Sequence, residues 1–256
     1  MRLLCVLLII VNLLFGKIDK SQIELLNTIY NEAKRYKAIN GHVFNDTICA
    51  IYLVESSAGK NVIGDNVDLK TGKMLTLFES SIGPGQIRLE TALFVMNKFP
   101  QYFNDISYLI HPDISAYKTY VKYLKNIDRF KSILKRYRSY LSKTNVKKKI
   151  KHYKAVIRWA YKELQYNKKK LEKYKYIIYK DKQIINLLFS DIRFSAKIST
   201  LYLIYNYNYA IKNRMSNPWF RTVSRYNGGW NNKKYYKKVV KKMKLIRYLK
   251  RKKLIQ

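Results

Sequence analysis

The sequence predicts a mainly α-helical protein with a well-developed core. Gly and Pro account for only 9 and 4 of the 256 residues, which disfavours loop-rich β folds and low-complexity chains. Apolar residues recur at helical spacing through most of the chain and make up 48% of it. The formal charge of +36 therefore does not come with the apolar poverty of a disordered protein. A chain of this length can form one domain with an elaboration.

Residues 1–16 have the pattern of a secretory signal peptide. A positively charged start precedes an apolar run over 3–15, and the small residue Gly16 follows. The run is shorter than the ~20 residues of a membrane-spanning helix, so cleavage is favoured over an uncleaved anchor. The sequence thus predicts export to the periplasm or cell envelope. Removal of the signal would leave Cys49 as the only thiol, with no partner for an intramolecular disulfide.

Residues 17–112 are expected to form the first part of a helical body. Apolar residues at helical period predict a helix over 22–37, and Ser21 and Glu24 stand at capping-box spacing before it. The sequence therefore predicts an amphipathic helix for this segment.

A second, more apolar segment predicts a buried central helix. Asn45 or Asp46 is expected to cap it, and its last residue is Glu55. Residues 60–85 show no long apolar period and are predicted as loop, after which helical spacing returns over 86–98. The central helix would therefore carry a single carboxylate at its end, directly before a loop.

Most of the positive charge lies in two stretches. Residues 117–183 hold 23 Lys and Arg against 4 acids, and residues 233–253 hold 12 and no acid. Apolar residues repeat every seven positions at 150, 157, 164, 171 and 178. A second set of repeat positions, three residues after each of these, is partly apolar but holds the polar seam residues Asn167 and Asp181. The sequence predicts a basic helical hairpin over 113–183, a return to the core over 184–232 and a basic tail over 233–256.

Three short segments stand out in order along the chain. They are Glu55-Ser56-Ser57, the segment Ser81–Ile87 with its Gly83, Gly85 and Gln86, and Tyr226-Asn227-Gly228-Gly229. A carboxylic acid that stays protonated near neutral pH can donate a proton to a poor leaving group, of which a glycosidic oxygen is one example. Glu55 fits this role, because burial and the negative end of the helix dipole both favour its neutral form.

The order of these segments resembles the soluble lytic transglycosylase (SLT) type of the lysozyme-like superfamily. The resemblance covers roughly residues 22–110 and 184–232. Pro84-Gly85 stands where the family has Leu-Met, and the last motif reads Arg225-Tyr-Asn-Gly-Gly229 instead of Ala-Tyr-Asn-Ala-Gly. The resemblance implies a lysozyme-like (SLT-type) helical domain with an inserted basic helical hairpin.

The resemblance also implies an activity and a set of roles. SLT-type enzymes are lyases that cleave the MurNAc-GlcNAc β-1,4 bond of peptidoglycan with a single Glu, first as acid and then as base, and leave a 1,6-anhydroMurNAc end. Glu55 would be that residue. Ser81 and Gln86 would contact the sugar, and Tyr226 and Asn227 would line the cleft opposite, with the Tyr226 hydroxyl near the acid.

Two alternatives stay open at this level. Asp65, Asp68 and Glu79 could supply the second carboxylate of a hydrolytic, lysozyme-type muramidase. A non-catalytic exported scaffold or polyanion-binding protein would use the basic hairpin and tail.

Peptidoglycan strands are the predicted partner, and anionic envelope polymers or a membrane surface could bind the basic segments. Export of the protein disfavours nucleic acid as a partner. No cofactor or metal is predicted, because His42, His111 and His152 lack metal-site spacing and no phosphate-loop motif occurs.

Overall fold

The computed structural model describes residues 18–62, 64 and 75–256 and is mainly α-helical, which confirms the predicted class. Residues 1–16, Asp65 and Asp68 lie outside the described residues. The helices are α1 (Lys20–Ala33), α2 (Asn45–Glu55), α3 (Leu89–Lys98), α4 (Ala116–Ser142), α5 (Lys147–Glu172), α6 (Lys175–Ser190), α7 (Ile192–Lys212), α8 (Pro218–Tyr226) and α9 (Lys233–Arg251). Short 3-10 turns cover Pro100–Tyr102 and Asn104–Leu109. None of the described helices is both long and apolar enough to cross a membrane.

The chain divides into two compact units. Unit 1 comprises the described residues of Met1–Ser107 and Ile184–Gln256, and unit 2 comprises Tyr108–Gln183. Unit 1 is thus assembled from the two chain segments that flank unit 2 in sequence.

Unit 1 is built around α2. Eight of the eleven α2 residues are buried, from Asn45 to Leu53, because the helix is apolar on nearly all sides. The helices α1, α7 and α9 pack against it. The only described strands, β1 (Ser81–Ile82) and β2 (Ile87–Arg88), pair antiparallel with Ile82 opposite Ile87.

The helix starts differ from the sequence prediction. Asp19, not Ser21, caps α1, and it forms a capping box with Gln22 because the helix begins two residues earlier than expected. The N-cap of α2 is Phe44, without a side-chain hydrogen bond, so neither Asn45 nor Asp46 is its cap. Phe44 is fully buried, and tertiary packing there replaces the missing cap.

Unit 2 contains the basic hairpin. Its helices α4 and α5 pack against each other through Ile127, Phe130, Leu134, Ala160 and Leu164, with Ile157 and Leu171 at the border. The predicted second helix is interrupted at residues 173–174, where α5 gives way to α6. The two polar seam residues have partners. Asn126 Nδ2 donates to Asn167 Oδ1 at 3.0 Å, and Asp181 accepts from Tyr120 Oη and contacts His111 Nε2.

The basic end of the chain is not a solvated tail. Residues 233–251 form α9, which buries Tyr235, Val239, Met243, Leu245, Ile246 and Leu249. Lys250 Nζ lies 2.9 Å from Asp46 Oδ1 near the start of α2, while Tyr235 contacts Glu55 at the end of α2. The two helices therefore run antiparallel. The sequence analysis described this segment only by its charge, because many lysines stand between the apolar residues that recur at helical spacing.

Candidate active site

One cleft in unit 1 brings the three sequence segments together. It encloses about 370 Å³ and is lined by Glu55, Ser81, Gln86, Ile87, Arg88, Thr91, Ile198, Ser199, Tyr202, Tyr226, Asn227 and Gly228. Glu55 is the only carboxylate among these described lining residues. All five residues that the sequence indicated as site residues are among them: Glu55, Ser81, Gln86, Tyr226 and Asn227.

Glu55 is held at the end of α2 with its carboxyl group half-buried. Burial raises its pKa above the ordinary value of 4.5, while hydrogen bonds from the Tyr235 and Asn227 side chains and the charge of Lys238 act in the opposite direction. Glu55 is the last residue of α2, and the partial negative charge at the C-terminal end of a helix also disfavours ionisation of a carboxyl group. The net direction is upward, so Glu55 keeps its proton to a higher pH than an exposed Glu would.

Tyr235, which the sequence analysis did not single out, is the direct partner of this acid. Its Oη donates to Glu55 Oε1 at 2.5 Å, and the side chain is only 5% exposed. Asn232 caps α9 by accepting from the Tyr235 amide at 3.0 Å, and its Nδ2 donates to the Asn227 carbonyl at 2.9 Å. The start of α9 is thereby fastened to the Tyr226-Asn227 segment. The apolar stripe that begins at Tyr235 was the signal available in the sequence.

The turn between β1 and β2 forms one wall of the cleft. Gly83 (φ +70°) and Gln86 (φ +50°) are left-handed, and a Cβ on Gly83 would lie 2.1 Å from the Leu188 carbonyl oxygen. The Gln86 side-chain amide Nε2 donates to the main-chain carbonyl oxygens of Gly83 at 2.9 Å and of Asn61 at 3.1 Å. Gln86 therefore braces the turn as well as lining the cleft. The predicted helix start at 86 is wrong, because α3 begins at Leu89.

Ser56 ties the same turn to α2. Its Oγ donates to the Pro84 carbonyl at 2.6 Å and accepts from the Gly59 amide at 2.8 Å. The residues after Glu55 thus serve as a structural bridge, as a helix-end Ser commonly does. This bridge keeps the wall with Ser81 and Gln86 at a set distance from the acid.

Tyr226 forms the opposite wall through its hydroxyl. Tyr226 Oη donates to the Gly85 carbonyl at 2.9 Å and lies 3.0 Å from Ser199 Oγ. The fully buried Tyr52 hydroxyl lies 2.8 Å from Ser195 Oγ and 3.2 Å from Ser199 Oγ. Tyr226 is close enough to interact electrostatically with Glu55, but the hydroxyl that binds the acid belongs to Tyr235.

Of the other carboxylates considered from sequence, Glu79 is described, and it is not among the residues that line the cleft. Glu79 Oε2 accepts from the Thr76 amide and hydroxyl at 2.9 and 3.0 Å, which stabilises a local turn. Asp65 and Asp68 lie outside the described residues. Within residues 18–62, 64 and 75–256, no three His, Cys, Asp or Glu side chains gather into a metal-binding group. The chemistry available among the described residues of this site is that of one half-buried acid with hydroxyl and amide neighbours.

Comparison of the chain with models of protein families, with curated proteins and with solved structures finds no match.

Proposed function

We propose that this protein is a peptidoglycan lytic transglycosylase with Glu55 as its single acid and base. The observation that carries the proposal is the convergence of three separate segments on one cleft whose only described carboxylate is Glu55. Unit 1 would be a lysozyme-like domain of the SLT type, with unit 2 as an inserted basic hairpin. Residues 1–16 would export the chain to the periplasm or cell envelope.

The raised pKa of Glu55 supports the acid role. Protonated Glu55 donates its proton to the glycosidic oxygen as the bond from that oxygen to C1 of MurNAc breaks. The resulting carboxylate then takes the proton of the MurNAc 6-hydroxyl as O6 bonds to C1, which restores the acid and leaves an anhydro end. Ser81 and Gln86 on one wall and Tyr226 and Asn227 on the other would hold the sugar rings, since all four line the cleft.

A hydrolytic lysozyme-type muramidase is the competing enzyme. It would place a water, rather than the 6-hydroxyl, on C1, and an enzyme of the usual two-carboxylate type would need a second acid in the cleft. The described lining holds one acid, while Asp65 and Asp68 lie outside the described residues, so the reaction products must separate the two routes. Mass spectrometry of muropeptides released from purified sacculi separates the two, because anhydro and reducing ends differ by one water.

The test of the proposal is Glu55→Gln, which removes the transferable proton but keeps the shape of the side chain. Release of anhydro muropeptides should fall by ~10²–10⁴ or more. Glu24→Gln is the matched control. It makes the same chemical change at an exposed carboxyl group on α1, away from the cleft. Equal cleavage by the wild type and the Glu55 variant, or none by the wild type, contradicts the proposal.

The partner we propose beyond the glycan strand is an anionic polymer of the cell wall. The outward face of α9 carries Lys234, Lys237, Lys241 and Lys244, all exposed, and residues 233–256 contain no acid. In unit 2, a groove of about 410 Å³ is lined by Lys131, Lys135, Arg138 and Tyr161 over Leu134 and Leu164, without an acid among these residues. Carboxylates and phosphates of wall polymers complement such surfaces.

Charge-neutral variants test this partner without removing α9. Changing Lys234, Lys237, Lys241 and Lys244 to Gln should weaken sedimentation with sacculi at low salt, and added salt should erase the difference because screening shortens to ~8 Å. The control changes four other exposed lysines of unit 1 to Gln: Lys34, Lys37, Lys98 and Lys212. Identical loss in both sets would mean that net charge alone matters. Tighter binding of DNA than of wall polymer would favour a nucleic-acid partner instead.

A further inference from the structure

The helix α9 donates a hydrogen bond to the proposed acid from the Tyr235 side chain. Tyr235 lies on its first turn, 180 residues from Glu55 in sequence, and the bond between Oη and Oε1 is 2.5 Å long. The motifs that led to the cleft from the sequence do not include this residue. Tyr235 therefore lies next to Glu55 because α9 packs against α2.

We infer that Tyr235 is a positioning residue that sets which oxygen of Glu55 carries the proton during glycan cleavage; this inference rests on the proposed function. A phenol has one proton, and here it is directed at Oε1. When Glu55 is protonated, Oε1 acts as the accepting oxygen and the acidic proton resides on Oε2. When Glu55 is ionised, the same bond stabilises the carboxylate.

The contacts of α9 hold the Tyr235 hydroxyl in its position against Glu55 Oε1. The tyrosine is 5% exposed, and its own amide donates to the Asn232 side chain at 3.0 Å. At the far end of α9, Lys250 pairs with Asp46 at 2.9 Å, so contacts at both ends of α2 keep α9 in register. Sliding of α9 by one turn, about 5.4 Å, would break the contacts at both ends.

Several charged or titratable groups surround Glu55 and bear on its titration. The Asn227 side chain also hydrogen-bonds it, Lys238 on α9 and Tyr226 on α8 act on it electrostatically, and Arg88 on β2 lines the same cleft. Removal of the Tyr235 hydroxyl leaves these groups in place. Since the lost hydrogen bond favours the ionised form, the pKa of Glu55 should move further upward in its absence.

The experiment is Tyr235→Phe, which removes the hydroxyl and keeps the ring. We expect kcat on soluble glycan strands to fall roughly 10-fold or more, less than for loss of the acid itself, with little change in KM. The alkaline limb of the pH–rate profile should shift to higher pH, because the acid keeps its proton longer. Tyr236→Phe is the matched control: the adjacent tyrosine packs its ring on Trp219 and Phe220.

A second readout does not depend on activity. Carbon-13 NMR titration of the labelled Glu carboxyls, with the Glu55 signal assigned by its loss in Glu55→Gln, should give a higher pKa for Glu55 in Tyr235→Phe than in the wild type. An unchanged titration and an unchanged pH profile would overturn the role of Tyr235 even if Glu55 proves essential. A changed pKa of Glu55 in a protein that cleaves no glycan would instead support the hydrogen bond between Tyr235 and Glu55 and overturn the proposed function.

Discussion

Tyr226 Oη donates to the main-chain oxygen of Gly85 at 2.9 Å, which joins two segments that lie 141 residues apart in the chain. Both segments were predicted from the sequence to belong to one site. Their contact is made by a hydroxyl and a carbonyl, so it keeps the two walls of the cleft together and leaves the Glu55 carboxyl to other partners.

Loss of the Tyr226 hydroxyl should loosen the cleft. In Tyr226→Phe the Gly85 carbonyl loses its donor, so we expect the free energy of unfolding to fall by ~1–2 kcal/mol. Denaturant unfolding followed by circular dichroism measures this change. Tyr209→Phe is the control, because Tyr209 is 42% exposed and stacks its ring on Trp230. Equal stability of both variants would contradict a supporting role for the Tyr226 hydroxyl.

Gly85 should tolerate no side chain. A Cβ there would lie 2.7 Å from Tyr52 Oη and 2.8 Å from Ser199 Oγ, both fully or nearly buried. Gly85→Ala should therefore destabilise unit 1 by ~1–3 kcal/mol through overpacking. Gly229 is a matched control, since a Cβ at that position meets nothing within 4 Å. Thermal unfolding of the two variants compares them directly, and a harmless Gly85→Ala would show that this packing is loose.

Glu55 should cost stability at neutral pH. Its folded pKa is raised above the unfolded value of 4.5, so the folded state binds the proton more tightly. The contribution of the Glu55 carboxyl group to the free energy of unfolding is therefore fully present below pH 4.5. It is lost as the pH rises through the pKa of the folded state. Glu55→Gln should unfold at a higher denaturant concentration than the wild type at pH 7, with little difference at pH 4. Glu24→Gln should show no such pattern.

Unit 1 should fold without unit 2. Its buried residues come from both chain segments that flank Tyr108–Gln183, for example Leu26 and Ile48 before it and Ile198 and Ile246 after it. Replacing residues 108–183 by a short Gly/Ser linker should leave a helical, cooperatively unfolding protein that still cleaves glycan strands. Aggregation with every linker length tried would show that unit 2 is needed for folding.

The helical class and the candidate acid could be predicted from the sequence, because both depend on local patterns. Apolar spacing located the central helix that ends at Glu55, and short motifs indicated Ser81, Gln86, Tyr226 and Asn227, which all line one cleft in the structure. Helix boundaries were less accurate. The cap of α1 was assigned to Ser21 instead of Asp19, because two polar residues near the start offered similar spacing.

By itself, the sequence determined which residues could form helices, where the charge lies and which short segments carry chemistry, since these are properties of neighbours along the chain. Only the tertiary structure decided that the basic end is a packed helix and that Tyr235, not Tyr226, donates to Glu55. The physical reason is that composition hides an apolar stripe among many lysines, and a hydrogen bond across 180 residues depends on how α9 packs along α2. No local pattern encodes that register.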